Sequence, residues 1–118
     1  MRLENDLFTV VSRNEGGARL SLHADHPIYR AHFPGNPITP GVCIVQMIGE
    51  LVGGQLGRRL SLSAITNLKF SQPLSPTENP QVDILLKAVK VLDGGQVKVQ
   101  GSITTGETVF TKFSITYE

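Results

Sequence analysis

The chain has 118 residues, 40% of them hydrophobic and 18% charged, with a formal net charge of +1. This composition is typical of a folded globular protein and excludes a disordered chain. Because the sequence has no block of like charges, it predicts neither a nucleic-acid-binding protein nor one attached to an anionic membrane. The length suits one domain, residues 1–118, with a single core.

The cysteine content and the first residues predict the compartment. Cys43 is the only cysteine, so no internal disulfide can form and a reducing environment is favoured. Arg2, Glu4 and Asp6 are charged where a signal peptide would need an apolar stretch. We therefore expect a cytoplasmic protein.

The first third of the chain predicts a β-hairpin followed by a structured loop. Residues 7–11 are rich in β-branched and aromatic side chains, and residues 14–17 give a turn signal. Residues 18–23 alternate apolar and polar, as a half-buried return strand does. Residues 25–41 contain four prolines and two glycines. Because proline fixes φ and lacks an amide donor, this segment is predicted to be neither helix nor central strand.

Residues 42–56 predict a buried helix, since they are apolar nearly all the way round. Thr39 is the expected N-cap, Pro40 the first helical residue and Gly57 the exit. The segment is shorter than the roughly 20 residues that span a bilayer.

The remainder predicts four strands, and the whole predicts an α+β fold in which an antiparallel sheet wraps around one helix. The turn signal Asp93-Gly94-Gly95 joins the second and third of these strands. The four predicted strands cover residues 64–74, 82–92, 96–104 and 109–117.

The junction between the proline-rich loop and the helix is the predicted chemical site. The first amides of a helix lack intrahelical acceptors and attract an anion or a developing oxyanion, and Gly41 lets a ligand approach its backbone. His32 lies nine residues upstream and is the group poised to exchange a proton near neutral pH. A loop histidine that caps a carbonyl is the alternative.

Two polar residues of the helix, Gln46 and Glu50, lie on one face one turn apart. A carboxylate in an apolar helix needs a partner or a proton. Glu50 is therefore either a general acid or a carboxylate held by a neighbour, and the sequence leaves both open.

Residues 32–42, His-Phe-Pro-Gly-Asn-Pro-Ile-Thr-Pro-Gly-Val, resemble the signature of the bacterial 3-hydroxyacyl-acyl-carrier-protein dehydratases. Residues 68–74, Leu-Lys-Phe-Ser-Gln-Pro-Leu, resemble a second motif of that family. The resemblance implies a hot-dog fold, a homodimer or higher even oligomer, and a site shared between protomers. His32 matches the catalytic histidine, and Gly41 the glycine whose amide binds the thioester carbonyl. Phe33, Val42 and Gln46 would contact the substrate.

The chain departs from this family at the acid. The family's Glu or Asp stands fourteen residues after the histidine, where this chain has Gln46; Glu50 lies one turn further along. With Glu50 as the acid, the resemblance implies dehydration of 3-hydroxyacyl thioesters to trans-2-enoyl thioesters in fatty acid or related lipid or polyene biosynthesis. A hot-dog thioesterase and a non-catalytic acyl-binding subunit are the alternatives.

The expected partners are an acyl carrier protein or a coenzyme A thioester, with no nucleic acid and no membrane. Neither a metal nor a diffusible cofactor is expected, because the acyl group would arrive on phosphopantetheine. Arg58 and Arg59, just after the helix, are either solvated or the contact for an acidic carrier.

Overall fold

A computed structural model describes residues 2–31 and 35–118. Within these residues, six strands and two helices follow one another along the chain. They are β1 (Phe8–Asn14), β2 (Gly17–Leu22), α1 (Ile28–Ala31), α2 (Gly41–Leu56), β3 (Leu62–Phe70), β4 (Gln81–Val91), β5 (Val97–Thr105) and β6 (Thr108–Tyr117).

The six strands form one antiparallel sheet in the order β1-β2-β4-β5-β6-β3. The predicted α+β class is confirmed, and each predicted strand is present within a few residues of its bounds. The prediction for β3 was too long, since the strand ends at Phe70 and residues 71–74 lie outside it. Pro73 explains this, because it has no amide to donate to a neighbouring strand.

Helix α2 packs against one face of the sheet, which we call the inner face. Its apolar side chains are buried together with those of β4, β5 and β6. A Cβ at Gly49 would lie 2.7 Å from the ring of Tyr117, whose hydroxyl donates a buried hydrogen bond of 2.7 Å to the Val45 carbonyl. Burial raises the pKa of Tyr117 well above its ordinary value. The glycine thus lets a large aromatic residue lie flat against the helix.

The helix begins next to Pro40 as predicted, but the predicted N-cap was wrong by one position. Pro40 is the N-cap, with extended backbone angles (φ −62°, ψ 146°), and Gly41 is the first helical residue. Thr39 is not the cap, because its hydroxyl is hydrogen-bonded to Tyr29 instead. The predicted exit is confirmed: Gly57 adopts the left-handed conformation (φ 70°) that a helix C-terminus favours.

The proline-rich segment contains a short helix, α1, which the sequence analysis did not predict. The amides of Arg30 and Ala31 both donate to the Pro27 carbonyl. Proline suits this position because its missing amide would have no partner in the first turn. The buried member of α1 is Tyr29, which attaches the segment to the core.

Apolar residues are exposed along the edge strand β3 and at the start of α2. Leu62, Ile65 and Phe70 are each almost half exposed, and Val42 is 71% exposed. No helix in the described part of the chain is long and apolar enough to cross a membrane.

Candidate active site

The loop that leads into α2 is closed by a buried hydrogen bond. The hydroxyls of Tyr29 and Thr39 lie 2.9 Å apart, ten residues from each other along the chain. The Thr39 amide also donates to the Leu74 carbonyl at 2.8 Å. His32 and Phe33, two of the predicted site residues, fall between these anchors and lie outside the described residues. The structure therefore describes the two ends of this loop.

A pocket of about 340 Å³ opens beside the start of α2. Its walls come from the end of the loop, the first helical turn and the segment after β3, and they are mainly apolar. The Gly41 backbone lies against the half-exposed ring of Phe70, where a Cβ would come within 2.9 Å of the ring. A side chain at position 41 would narrow the pocket, so the glycine keeps room there for a ligand. The lining residues are Ile38, Thr39, Gly41, Ile44, Phe70, Ser71, Gln72, Pro73 and Leu74.

Two backbone amides at the start of α2 can donate hydrogen bonds to a ligand. Gly41 and Val42 begin the helix, so no intrahelical carbonyl lies within reach of their N–H groups. Within residues 2–31 and 35–118, neither amide donates to another backbone carbonyl. Together with the positive end of the helix dipole, they favour negative charge that develops on a ligand oxygen.

Gln46 and Glu50 form a hydrogen-bonded pair further along α2. The Gln46 side-chain nitrogen donates to the Glu50 Oε2 at 2.8 Å. The predicted placement of both residues on one helical face is confirmed by this contact. Gln46 is half-buried, whereas Glu50 is only 7% exposed.

The Glu50 carboxylate also holds the N-terminal segment, residues 2–7, against the helix. The amide of Leu3 donates to Oε2 and that of Glu4 to Oε1, both at 2.7 Å. Leu3 and Leu7 are buried beside it, and the Leu7 amide donates to the Leu3 carbonyl. Both carboxylate oxygens are therefore engaged by the chain itself.

Leu3 and Glu4 were missed by the sequence analysis. The available signal was the apolar pair Leu3 and Leu7, spaced four apart, ahead of the first strand. That spacing indicates a buried turn but does not identify a carboxylate some 46 residues away as its hydrogen-bond acceptor.

Cys43 lies on the buried side of the first turn of α2. Burial raises the pKa of its thiol, which is the opposite of what a nucleophilic cysteine needs. The side chain therefore serves the packing of the core. Among the described residues, no group of three His, Cys, Asp or Glu side chains is arranged to hold a metal ion.

The profile of the ApeI-like family, described as ApeI dehydratase, matches residues 10–108. Among curated proteins, a 3-hydroxyacyl-[acyl-carrier-protein] dehydratase FabZ from a Thermoanaerobacter species is 29% identical over 99 residues. The alignment covers 75% of this chain and 66% of that relative. The chain thus spans slightly less than two thirds of the relative's length.

Solved structures with the same fold include a dehydratase and a thioesterase. The dehydratase heterocomplex ApeI:P from Xenorhabdus doucetiae gives a TM-score of 0.61 at 21% identity and covers 93% of this chain and 96% of the other. Thioesterase HI1161 from Haemophilus influenzae gives 0.64 at 18% identity, covering 96% and 78%. These likenesses confirm the hot-dog fold, and the profile match over most of the sequence shows that the chain belongs to the ApeI-like dehydratase family.

Proposed function

We propose that this protein dehydrates 3-hydroxyacyl thioesters to trans-2-enoyl thioesters. The observation that carries the proposal is the pocket at the start of α2. There the Gly41 and Val42 amides, which donate to no backbone carbonyl among the described residues, lie beside an apolar wall. An acyl chain suits the apolar wall, and a thioester oxygen suits the amides. Family membership supports a dehydratase.

In this mechanism His32 takes the α-proton and the Gly41 amide stabilises the enolate oxygen. The C3–O bond then breaks as the C2–C3 double bond forms, and the departing hydroxyl takes a proton to leave as water. The proposal keeps Phe33 and Val42 as substrate contacts. Val42 follows Gly41, which lines the pocket, and its side chain is largely exposed.

Two sources of the proton for the departing hydroxyl are compatible with the chain. The first source is Glu50 itself, acting as the acid one helical turn beyond the position that the family resemblance suggests. The hydrogen bonds from Leu3, Glu4 and Gln46 favour a different role, in which Glu50 holds Gln46. Gln46 would then orient the hydroxyl, and the imidazolium that His32 becomes would return the same proton. We propose this second role for Glu50.

The Glu50→Gln variant separates the two roles. If Glu50 is a positioning residue, we expect a lower melting temperature but a kcat within about threefold of wild type at a temperature where the variant is folded. If Glu50 is the acid, an amide cannot replace it and kcat falls by at least about tenfold. Circular dichroism before each assay separates loss of fold from loss of catalysis.

We further propose a homodimer acting in the cytoplasm, in fatty acid or related lipid or polyene biosynthesis. The edge strand β3 with its half-exposed Leu62, Ile65 and Phe70 supports a dimer, since an unpaired apolar edge favours pairing with a second sheet. The acyl group would arrive on an acyl carrier protein or coenzyme A, without another cofactor. Light scattering at low concentration checks the dimer; a folded, active monomer would contradict it.

A turnover assay tests the function itself. The wild-type protein is incubated with 3-hydroxybutyryl and crotonyl thioesters, and interconversion is followed by the enoyl absorbance while free thiol is measured in parallel. We expect interconversion without thiol release. Thiol release would instead indicate a thioesterase, in which a helix carboxylate such as Glu50 activates water. If neither reaction occurs, the protein is instead a non-catalytic acyl-binding subunit.

A further inference from the structure

All five lysines of the chain lie in strands β3 to β6. They are Lys69, Lys87, Lys90, Lys98 and Lys112. The same four strands contain one acidic residue, Asp83, and its carboxylate is already paired with Arg19 at 2.9 Å. The lysines therefore share a region of the sheet that has no free carboxylate of its own.

The strand register places four of these lysines on the outer face, away from α2, and Lys87, in a bulge of β4, lines a pocket on that face. Lys69 stands directly opposite Lys112, and Lys90 directly opposite Lys98. Directly paired residues of antiparallel strands project to the same side of the sheet. Phe70, the neighbour of Lys69, packs on Gly41 at the inner face, so Lys69 projects outward.

A pocket of about 490 Å³ lies on this outer face. Lys87 and Lys112 line it, together with Leu85, which is almost half exposed. Amide and hydroxyl side chains from the centre of the sheet, Asn67, Gln100, Ser102 and Ser114, complete its polar wall. We call this pocket and the five lysines the lysine face.

The lysine face is unfavourable for the isolated chain. Like charges directly opposite one another on a sheet destabilise it. Among the described residues, none of the five lysines forms an ion pair. An anionic partner would remove this repulsion, so the arrangement points to a binding surface.

The side-chain chemistry favours an acidic protein over other anions. The face has lysines and no arginine, whereas arginine is the residue that binds phosphate through bidentate hydrogen bonds. Phe113 lines the pocket but is buried, and the other residues of the face include no aromatic side chain on which a base could stack or that could anchor in a lipid interface. Separate carboxylates on a protein surface match separate ammonium groups, with Leu85 as an apolar contact.

We propose that the lysine face docks the acidic carrier protein that delivers the thioester, an inference that rests on the proposed function. Lys69 is adjacent in sequence to Phe70, which lines the pocket beside α2. A carrier held at Lys69 and Lys112 would therefore sit at the strand end next to that pocket. Its flexible arm would pass around this end to the inner face. The docking site is thus the sheet and not Arg58 and Arg59.

Two charge-neutralised variants test this docking surface. One is Lys69→Gln/Lys112→Gln, and the matched comparison is Arg58→Gln/Arg59→Gln, which removes the same charge at the other candidate surface. Binding of a bacterial holo-acyl carrier protein is measured by calorimetry at low salt. We expect the lysine variant to weaken binding about tenfold and the arginine variant to change it less than twofold.

Kinetics with two forms of the substrate separate docking from chemistry. For carrier-linked 3-hydroxybutyrate, we expect the lysine variant to raise KM about tenfold with kcat unchanged. For the short neutral N-acetylcysteamine thioester, both variants should match wild type.

Several outcomes overturn the inference: equal carrier binding by all three proteins, loss of binding in the arginine variant alone, or wild-type preference for RNA or anionic vesicles over the carrier. If wild type turns over the neutral thioester but does not bind the carrier, the docking surface is wrong and the proposed function stands. If the lysines bind the carrier but no thioester reacts, the docking surface stands and the proposed function fails.

Discussion

The polar groups in the two halves of α2 differ in whether the protein itself satisfies their hydrogen bonds. At the N-terminal end, Gly41 lines a pocket, and the Gly41 and Val42 amides have no backbone acceptor within the described residues. Nine residues on, about 14 Å along the axis, the Glu50 carboxylate accepts hydrogen bonds from two amides and from Gln46.

This difference separates a part of the helix available to a ligand from a part used to build the protein. Unsatisfied donors at a helix end can stabilise charge on a bound molecule, whereas a carboxylate surrounded by protein donors stabilises the fold. Variants at the first end should therefore lower activity and leave stability intact, and variants at the second should do the reverse.

The largest effect on activity is expected at the loop that leads into the N-terminal end of α2. His32→Ala should lower turnover of 3-hydroxybutyryl thioester on the order of 10²- to 10⁴-fold, because it removes the proposed base. The melting temperature should stay close to wild type. Wild-type turnover in this variant would remove His32 from the mechanism. His23→Ala is the control, since His23 lies on the hairpin side and is hydrogen-bonded to Thr9.

The next largest effect is expected on stability, at Glu50 in the second half of α2. Glu50→Ala should lower the free energy of unfolding by about 1.5–3 kcal/mol, because one buried and one partly buried amide lose a charged acceptor. Urea denaturation measures it. Glu4→Ala removes a carboxylate from the same segment, but its ion pairs with Arg2 and Arg13 are partly exposed, so it should cost no more than about 1 kcal/mol. Equal losses of unfolding free energy in the two variants would contradict the role of Glu50 in holding the N-terminal segment against α2.

One substitution made at both ends sharpens the contrast. Gly49→Ala places a Cβ against the buried Tyr117 ring and should destabilise by about 1–3 kcal/mol, partly offset by alanine's better helix propensity. Gly41→Ala meets the half-exposed Phe70 ring, which can turn away, so stability should change by less than about 0.5 kcal/mol. Its effect should appear as a higher KM. Reversed effects would mean that the two ends have been assigned the wrong way round.

The smallest effect is expected at the Tyr29–Thr39 hydrogen bond. Tyr29→Phe should cost about 0.5–1.5 kcal/mol, because it leaves the buried Thr39 hydroxyl without its partner. Turnover should also fall, since this bond holds both ends of the His32 loop. Thr39→Val added to Tyr29→Phe removes the orphaned hydroxyl and should recover part of the stability. Strictly additive losses in this double-mutant cycle would show that the two hydroxyls are not coupled.

The fold was largely predictable because its signals are local. The all-round apolar pattern of residues 42–56 indicated a helix, and α2 occupies residues 41–56. Asp93-Gly94-Gly95 indicated a hairpin, and both glycines adopt the positive φ (90°) that this turn requires. The short helix α1 was missed because proline was interpreted as a helix breaker, when at Pro27 it starts a turn.

The candidate site was predictable in part. The sequence placed Gly41 at a helix start and paired Gln46 with Glu50, and both placements are confirmed. It could not identify the partners of Glu50, because Leu3 and Glu4 reach it only after β1, β2 and α2 have packed together. The catalytic roles of His32 and Glu50 stay predictions.

By itself, then, the sequence determined the order and type of the main elements and the position of the proline-rich loop, since hydrophobic period, proline and glycine act over a few residues. Only the tertiary structure decided which polar groups are hydrogen-bonded within the protein and where charged side chains lie together. The five lysines are spread over residues 69–112 with no run among them, and four of them meet in pairs because the register sets Lys69 opposite Lys112 and Lys90 opposite Lys98. Register is a property of paired strands, and spacing along one strand does not contain it.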